Sequence, residues 1–117
     1  MTRFLRHQVV GEALRVGLVP VFYYGDVDMA FGVVKACSEG GARLIEFTNR
    51  GDRAFQVFTE LAKRLDKELP DVVIGAGTII DNATAALYIN SGAGFIVGPS
   101  LSVEVAKLCN RRKVLYI

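Results

Sequence analysis

A chain of 117 residues, 51% hydrophobic with a mean hydropathy of +0.33 and 14 basic against 12 acidic side chains, has the size and apolarity of one modest domain with nearly balanced charge. No basic patch is interleaved with aromatics, which argues against a nucleic-acid partner, and no apolar run approaches the roughly 20 residues that cross a membrane. The amino-terminal Met1-Thr2-Arg3-Phe4-Leu5-Arg6-His7 carries charge with no apolar signal-peptide core behind it, so a cytoplasmic setting is expected.

In chain order, the pattern opens with a helix over roughly residues 3–16, followed by a strand at 18–23. Asp26 is placed to cap the next helix, with Met29, Val33, Val34 and Cys37 on its apolar face and Gly40-Gly41 as its stop. A strand at 43–48 follows, then a helix capped by Asp52 that repeats Phe55, Phe58, Leu61, Ala62 and Leu65 at helical spacing before Pro70. The third strand, 72–75, runs into a glycine-rich turn. Asp81 then opens a helix carrying Ala85, Ala86, Leu87 and Ile89, ended by Gly92. A strand at 95–98 leads to a helix opened by Ser102 with Val105, Ala106, Leu108 and Cys109, and a last strand covers 114–117. The strands are short and mostly continuous in apolar character, as in a parallel sheet covered by helices. Successive strands begin about 20–30 residues apart, one β-α unit each. With no linker or low-complexity tract, residues 1–117 form a single α/β domain, either doubly wound or part of a (β/α)8 barrel.

Several side chains are set aside. Cys37 and Cys109 have neither a CxxC partner nor a nearby histidine and read as free small hydrophobes in a reducing compartment. His7, the single histidine, lies in the first helix away from every candidate site residue and reads as a surface or capping group. Gly75-Ala76-Gly77-Thr78 begins like a dinucleotide fingerprint, but the third glycine is replaced by Ile80, and the next strand ends without an acid to hold a ribose. Two glycines at a strand end more simply let backbone approach a ligand closely.

The stretch that carries chemistry is Leu44-Ile45-Glu46-Phe47-Thr48-Asn49-Arg50. It sets a carboxylate inside an apolar strand, where an uncompensated charge costs several kcal/mol. A structural ion pair with Arg50, or an edge strand with Glu46 in water, accounts for it blandly; the rest of the chain decides otherwise. In a parallel β-α protein all strand carboxyl ends share one face, and there ligands bind. Glu46, Thr48 and Arg50, Gly77 and Thr78, Gly98-Pro99-Ser100 and Tyr23-Tyr24-Gly25-Asp26 all fall at those ends, while the opposite loops are ordinary. Alternation sets Leu44, Glu46 and Thr48 on one face and Arg43, Ile45 and Phe47 on the other. With the second set under helices, Glu46 faces the barrel interior just below its mouth, partly desolvated and suited to general acid and base work. Arg50 above it can hold a carboxylate bidentately, with Thr78 adding a hydroxyl.

These residues carry a resemblance. The chain is similar to the amino-terminal part of the 2-keto-3-deoxy-6-phosphogluconate (KDPG) aldolase family, which includes 4-hydroxy-2-oxoglutarate aldolases. The likeness rests on the leading helix, Leu18-Val19-Pro20-Val21, the segment from Gly40-Gly41 through Glu46, Thr48 and Arg50, the run Gly75 to Thr78, and Pro99 after the fourth strand. It covers essentially all 117 residues in order. It implies a class I aldolase on a (β/α)8 barrel, usually a homotrimer, that needs neither metal nor cofactor. Such an enzyme cleaves a 2-keto-4-hydroxy acid to pyruvate and an aldehyde through a lysine Schiff base. By position Glu46 matches the proton-moving glutamate, Arg50 and Thr78 match residues holding the pyruvate carboxylate, and Pro99 lines the pocket. The family's Schiff-base lysine lies on strand six, and this chain stops in strand five. Lys35, Lys63, Lys67, Lys107 and Lys113 match it at no position. The expectation is a truncated aldolase barrel, inactive alone; the alternatives are a non-catalytic half-barrel completed by a second chain, or a separate β-α enzyme of phosphosugar or pyruvate chemistry.

Overall fold

The computed structural model describes residues 4–117. Ten elements alternate: α1 (Arg6–Val16), β1 (Val21–Phe22), α2 (Val27–Glu39), β2 (Leu44–Thr48), α3 (Ala54–Glu68), β3 (Val73–Gly77), α4 (Asn82–Asn90), β4 (Phe95–Ile96), α5 (Val103–Arg112) and β5 (Leu115–Tyr116). The five strands make one parallel sheet in sequential order, β1-β2-β3-β4-β5.

Helix boundaries follow local chemistry at three of the expected caps. The Asp26 carboxylate accepts from Met29 N–H at 3.0 Å, Asp81 from Thr84 N–H at 2.7 Å, and Ser102 Oγ from Val105 N–H at 3.3 Å. The fourth is a correction: Arg53 occupies the cap of α3 with no side-chain bond, and Asp52 stays in the preceding turn, which Gly51 bends at a φ of +97°. The opening helix begins at Arg6, where Gln8 Oε1 accepts from Leu5 N–H at 2.8 Å; its expected start at Arg3 falls outside the described residues. Helix α4 closes on Ser91, one residue before Gly92.

The sheet has two unlike faces, and this separates the two candidate architectures. All four crossover helices, α2 to α5, pack on one face, where Ile45, Phe47, Ile74, Ala76 and Ile96 meet Phe31, Val34, Phe58, Leu61, Tyr88, Val105 and Cys109. A doubly wound sheet distributes its helices over both faces, whereas a singly wound barrel keeps them outside. On the other face Leu44, Val73 and Phe95 gather against Val9 of α1. The leading helix therefore closes the inner side, and Arg6 Nη1 donates to Asn110 Oδ1 of α5 across 2.9 Å.

Three expectations about these elements change. Met29 is half exposed; α2 instead turns Ala30, Phe31 and Val34 inward, with the Arg64 guanidinium 3.7 Å from the Phe31 ring centroid. Leu87 is likewise exposed on α4, and Tyr88 takes the buried position. The glycine-rich segment after β3 belongs to the strand itself. Leu44 to Thr48 pair residue by residue with Val73 to Gly77, so the ladder holds Gly75, Ala76 and Gly77 extended.

Candidate active site at the carboxyl ends of the strands

Glu46 lies on the inner face of β2, 8% exposed, as the alternation predicts. Its Oε2 accepts a hydrogen bond from Thr48 Oγ1 at 3.5 Å on the same face. Burial raises the Glu46 pKa above the ordinary carboxylate range, and the Thr48 hydroxyl opposes that shift in part. Among the described residues it has no ion pair, so the bland reading of a structural bridge to Arg50 does not describe this molecule.

Room for that carboxyl group comes from the neighbouring strand. Glu46 is in register with Gly75, yet its side chain leans toward the mouth, and a Cβ on Gly77 would fall on its carboxyl carbon and oxygen. A Cβ on Gly75 would enter the Phe95 ring. The two glycines thus accommodate protein side chains, Phe95 and Glu46, which corrects the expectation that they admit a ligand to the backbone.

Arg50, Thr78 and Pro99 all stand just beyond the ends of adjacent strands β2, β3 and β4, on the mouth side of Glu46, and all three are exposed. Arg50 forms no ion pair among the described residues. Thr78 has a φ of +58°, a left-handed conformation that a β-branched side chain adopts at a cost. The ladder continues around it: Asn49 N–H donates to Gly77 O at 2.8 Å and Ile79 N–H to Val97 O at 3.1 Å, so its neighbours over-determine the strained residue.

Sequence reasoning missed two supporting tyrosines. Tyr88 on α4 donates its hydroxyl to Asn49 Oδ1 at 2.7 Å, and desolvation, with the nearby Tyr23 adding to it, pushes its pKa up to about 12. The Tyr116 hydroxyl of β5 accepts from Ser102 N–H at 2.9 Å and donates to Ser100 O at 3.2 Å, holding the loop that carries Pro99. The available signal was tyrosine itself in apolar elements, since a buried phenol needs a polar partner for its hydroxyl.

A cleft of about 540 Å³ lies at the other end of the sheet, between Phe4, Gln8, Glu12, Arg15, Arg43 and Asp71. Two of its cations are already engaged: Arg15 pairs with Glu12 at 2.7 Å, and Arg43 donates to the backbone oxygen of Ala42 at 2.9 Å. The buried acid, the strained threonine and the open arginine are all at the carboxyl ends, and chemistry outweighs volume in choosing between the two.

A parallel, singly wound β-α sheet with a desolvated carboxyl group below its mouth defines the class: consecutive units of a (β/α)8 barrel with an enzyme-like site at the strand carboxyl ends. The family described as KDPG and KHG aldolase matches residues 10–117, and the chain belongs to it. It is 32% identical over 100 residues to the 2-dehydro-3-deoxy-phosphogluconate aldolase of Pseudoalteromonas atlantica, covering 86% of this chain and 45% of that protein. To the KHG/KDPG aldolase of Escherichia coli it is 31% identical over 90 residues, 77% of this chain and 40% of the relative. The chain therefore spans less than half the length of these curated relatives. Among solved structures, it superposes on a Zymomonas mobilis 2-keto-3-deoxy-6-phospho-gluconate aldolase with a TM-score of 0.72 at 26% identity, covering 85% of this chain and 46% of that one. The Legionella pneumophila KDPG aldolase, captured with pyruvate as a covalent carbinolamine, gives 0.74 at 25% identity, with 85% and 46% covered.

Proposed function

We propose that this chain supplies the acid-base and carboxylate-binding half of a class I aldolase that cleaves a 2-keto-4-hydroxy acid, 2-keto-3-deoxy-6-phosphogluconate or 4-hydroxy-2-oxoglutarate, to pyruvate and an aldehyde. The observation that carries the reading is Glu46: a buried carboxyl group with a raised pKa, hydrogen-bonded to Thr48 and aimed at the mouth over Gly77. A group so held can take a proton from a substrate hydroxyl as the carbon–carbon bond breaks and return one to the carbon left behind. Arg50, exposed above it, is the guanidinium for the keto acid's carboxylate, and Thr78, exposed at the end of β3, adds a hydroxyl to the same anion. Pro99 forms the far wall.

The Schiff-base amine belongs to residues outside these 117. Lys35, Lys63, Lys67, Lys107 and Lys113 are all exposed, on the outer helices α2, α3 and α5 and at the amino end of β5, away from the strand carboxyl ends where Glu46 and Arg50 stand. A homotrimer in the cytoplasm is the setting proposed for the complete enzyme.

Incubation with pyruvate and borohydride tests this. The 117-residue polypeptide should trap no adduct, whereas a catalytically complete polypeptide, extended through the sixth strand and the remaining units, should trap one and cleave a 2-keto-4-hydroxy acid. Glu46→Gln in the complete form should still trap pyruvate while turnover falls about 10²–10⁴-fold. Unchanged turnover would return Glu46 to a structural role.

A further inference from the structure

Arg50 leaves β2 through a turn whose geometry is unusual in detail. Asn49 N–H closes the last ladder bond to Gly77 O at 2.8 Å, and Arg50 N–H then folds back to Thr48 O at 2.8 Å, a three-residue turn centred on Asn49. Residue 49 is thus the pivot between the rigid sheet and the arginine. Its side chain lies on the helix face, opposite Glu46 and Thr48, and accepts the Tyr88 hydroxyl at 2.7 Å from 39 residues away. Tyr88 is itself closely packed: 1% exposed, its ring stands edge-on to Phe58 at 4.9 Å and to Phe55 at 5.3 Å, both on α3. Beyond Arg50, Gly51 bends at a φ of +97° with the Tyr23 hydroxyl against it, so close that a Cβ there would lie 3.1 Å from that oxygen.

We propose that Tyr88 and Asn49 are positioning residues: their hydrogen bond pins the pivot of the turn after β2 to the helix face, and thereby holds Arg50 toward the mouth. Asn49 is the middle residue of that turn, so fixing its side chain on the helix face fixes the direction in which the backbone leaves β2 and with it the point from which the Arg50 side chain starts. The hydroxyl does something that the ring does not. Phenylalanine would pack equally between Phe55 and Phe58, without the cost of desolvating a phenol. Pre-organising the guanidinium removes ordering cost from carboxylate binding, so the hydrogen bond should act on affinity and leave the proton-transfer step alone. The functional half of this inference rests on the aldolase reading; the structural half does not.

The test therefore has two arms. In the 117-residue polypeptide, Tyr88→Phe should speed amide hydrogen exchange at Arg50 and Ala54 by about three- to tenfold, the range expected for one neutral hydrogen bond, with little change in the amides of β3. Unchanged exchange at both positions would overturn the brace. In the catalytically complete polypeptide, Tyr88→Phe and Asn49→Ala should each raise KM for the keto acid by a similar factor with kcat nearly constant, and the double variant should be no worse than either. On an Arg50→Ala background, Tyr88→Phe should leave KM where it is. An equal KM effect with and without Arg50, or no effect when Arg50 is present, would show that the hydroxyl does not act through the arginine. Failure of the unsubstituted complete protein to trap pyruvate would sink the aldolase reading alone, because the exchange arm still decides whether the brace exists.

Discussion

Glu46 and Thr78 are two residues of the site whose native states carry a cost, and each makes a measurable statement. The Glu46 pKa is raised on folding, so between the ordinary carboxylate range and that raised value the folded state holds more protons than the unfolded state. Stability then falls as pH rises through this window, and above it the protein carries the full burden of a buried charge. Glu46→Gln should accordingly be more stable than the parent at pH 8, with the difference shrinking toward pH 4; chemical denaturation at both pH values reads it. A constant difference at the two values would mean that burial does not govern the titration. Thr78 sits left-handed at a φ of +58°. Replacement by glycine relieves a strain of about 1–2 kcal/mol, offset in part by glycine's greater freedom when unfolded, so Thr78→Gly should raise stability by about 1 kcal/mol. If Thr78 also grips the keto acid, the same variant should bind it more weakly, which separates strain kept for function from strain kept for nothing.

At the scale of elements, β2 and β3 explain each other. The five-residue register gives Glu46 and Phe95 their space only because residues 75 and 77 lack a Cβ. Gly75→Ala would force a methyl group into the fully buried Phe95 ring, an overpacking of about 1–3 kcal/mol that a lowered denaturation midpoint should reveal. A variant within a few tenths of the parent would show that the inner face is looser than its packing suggests. The third strand also shows where local reading stops. Its glycines signalled a turn because glycine weakens isolated strands, but pairing with β2 satisfied their backbone groups and kept them extended. In the same way Asp52 looks like a cap from its neighbours alone, yet the chain still has to complete the turn through Gly51, and α3 begins beyond it.

For the whole molecule, the exposed apolar surface is informative. Val21 on β1 is 60% exposed, Ile117 after β5 56%, and Leu14 on the outer side of α1 79%. Each outer strand pairs with one neighbour only, β1 with β2 and β5 with β4. Edges and apolar faces of this kind recruit further chain. The 117-residue polypeptide should associate at micromolar concentration, with its sedimentation coefficient rising as concentration rises. A monodisperse monomer over that range would show that the edges are adequately protected by the loops and by α1.

The order of elements, the parallel class of the sheet, three of four helix caps and the inward face of Glu46 were all legible in the sequence. Each depends on periodicity or on bonds spanning three or four residues, and a chain states those locally. The tertiary structure alone decided that α1 closes the inner face, that β3 extends through Gly77, that Thr78 turns left-handed, and that Tyr88 reaches Asn49. These depend on register and on contacts between residues tens of positions apart. Their cost and reward appear only when the strands pair and the helices dock, because a glycine, a threonine or a buried hydroxyl has no preferred partner until the sheet provides one.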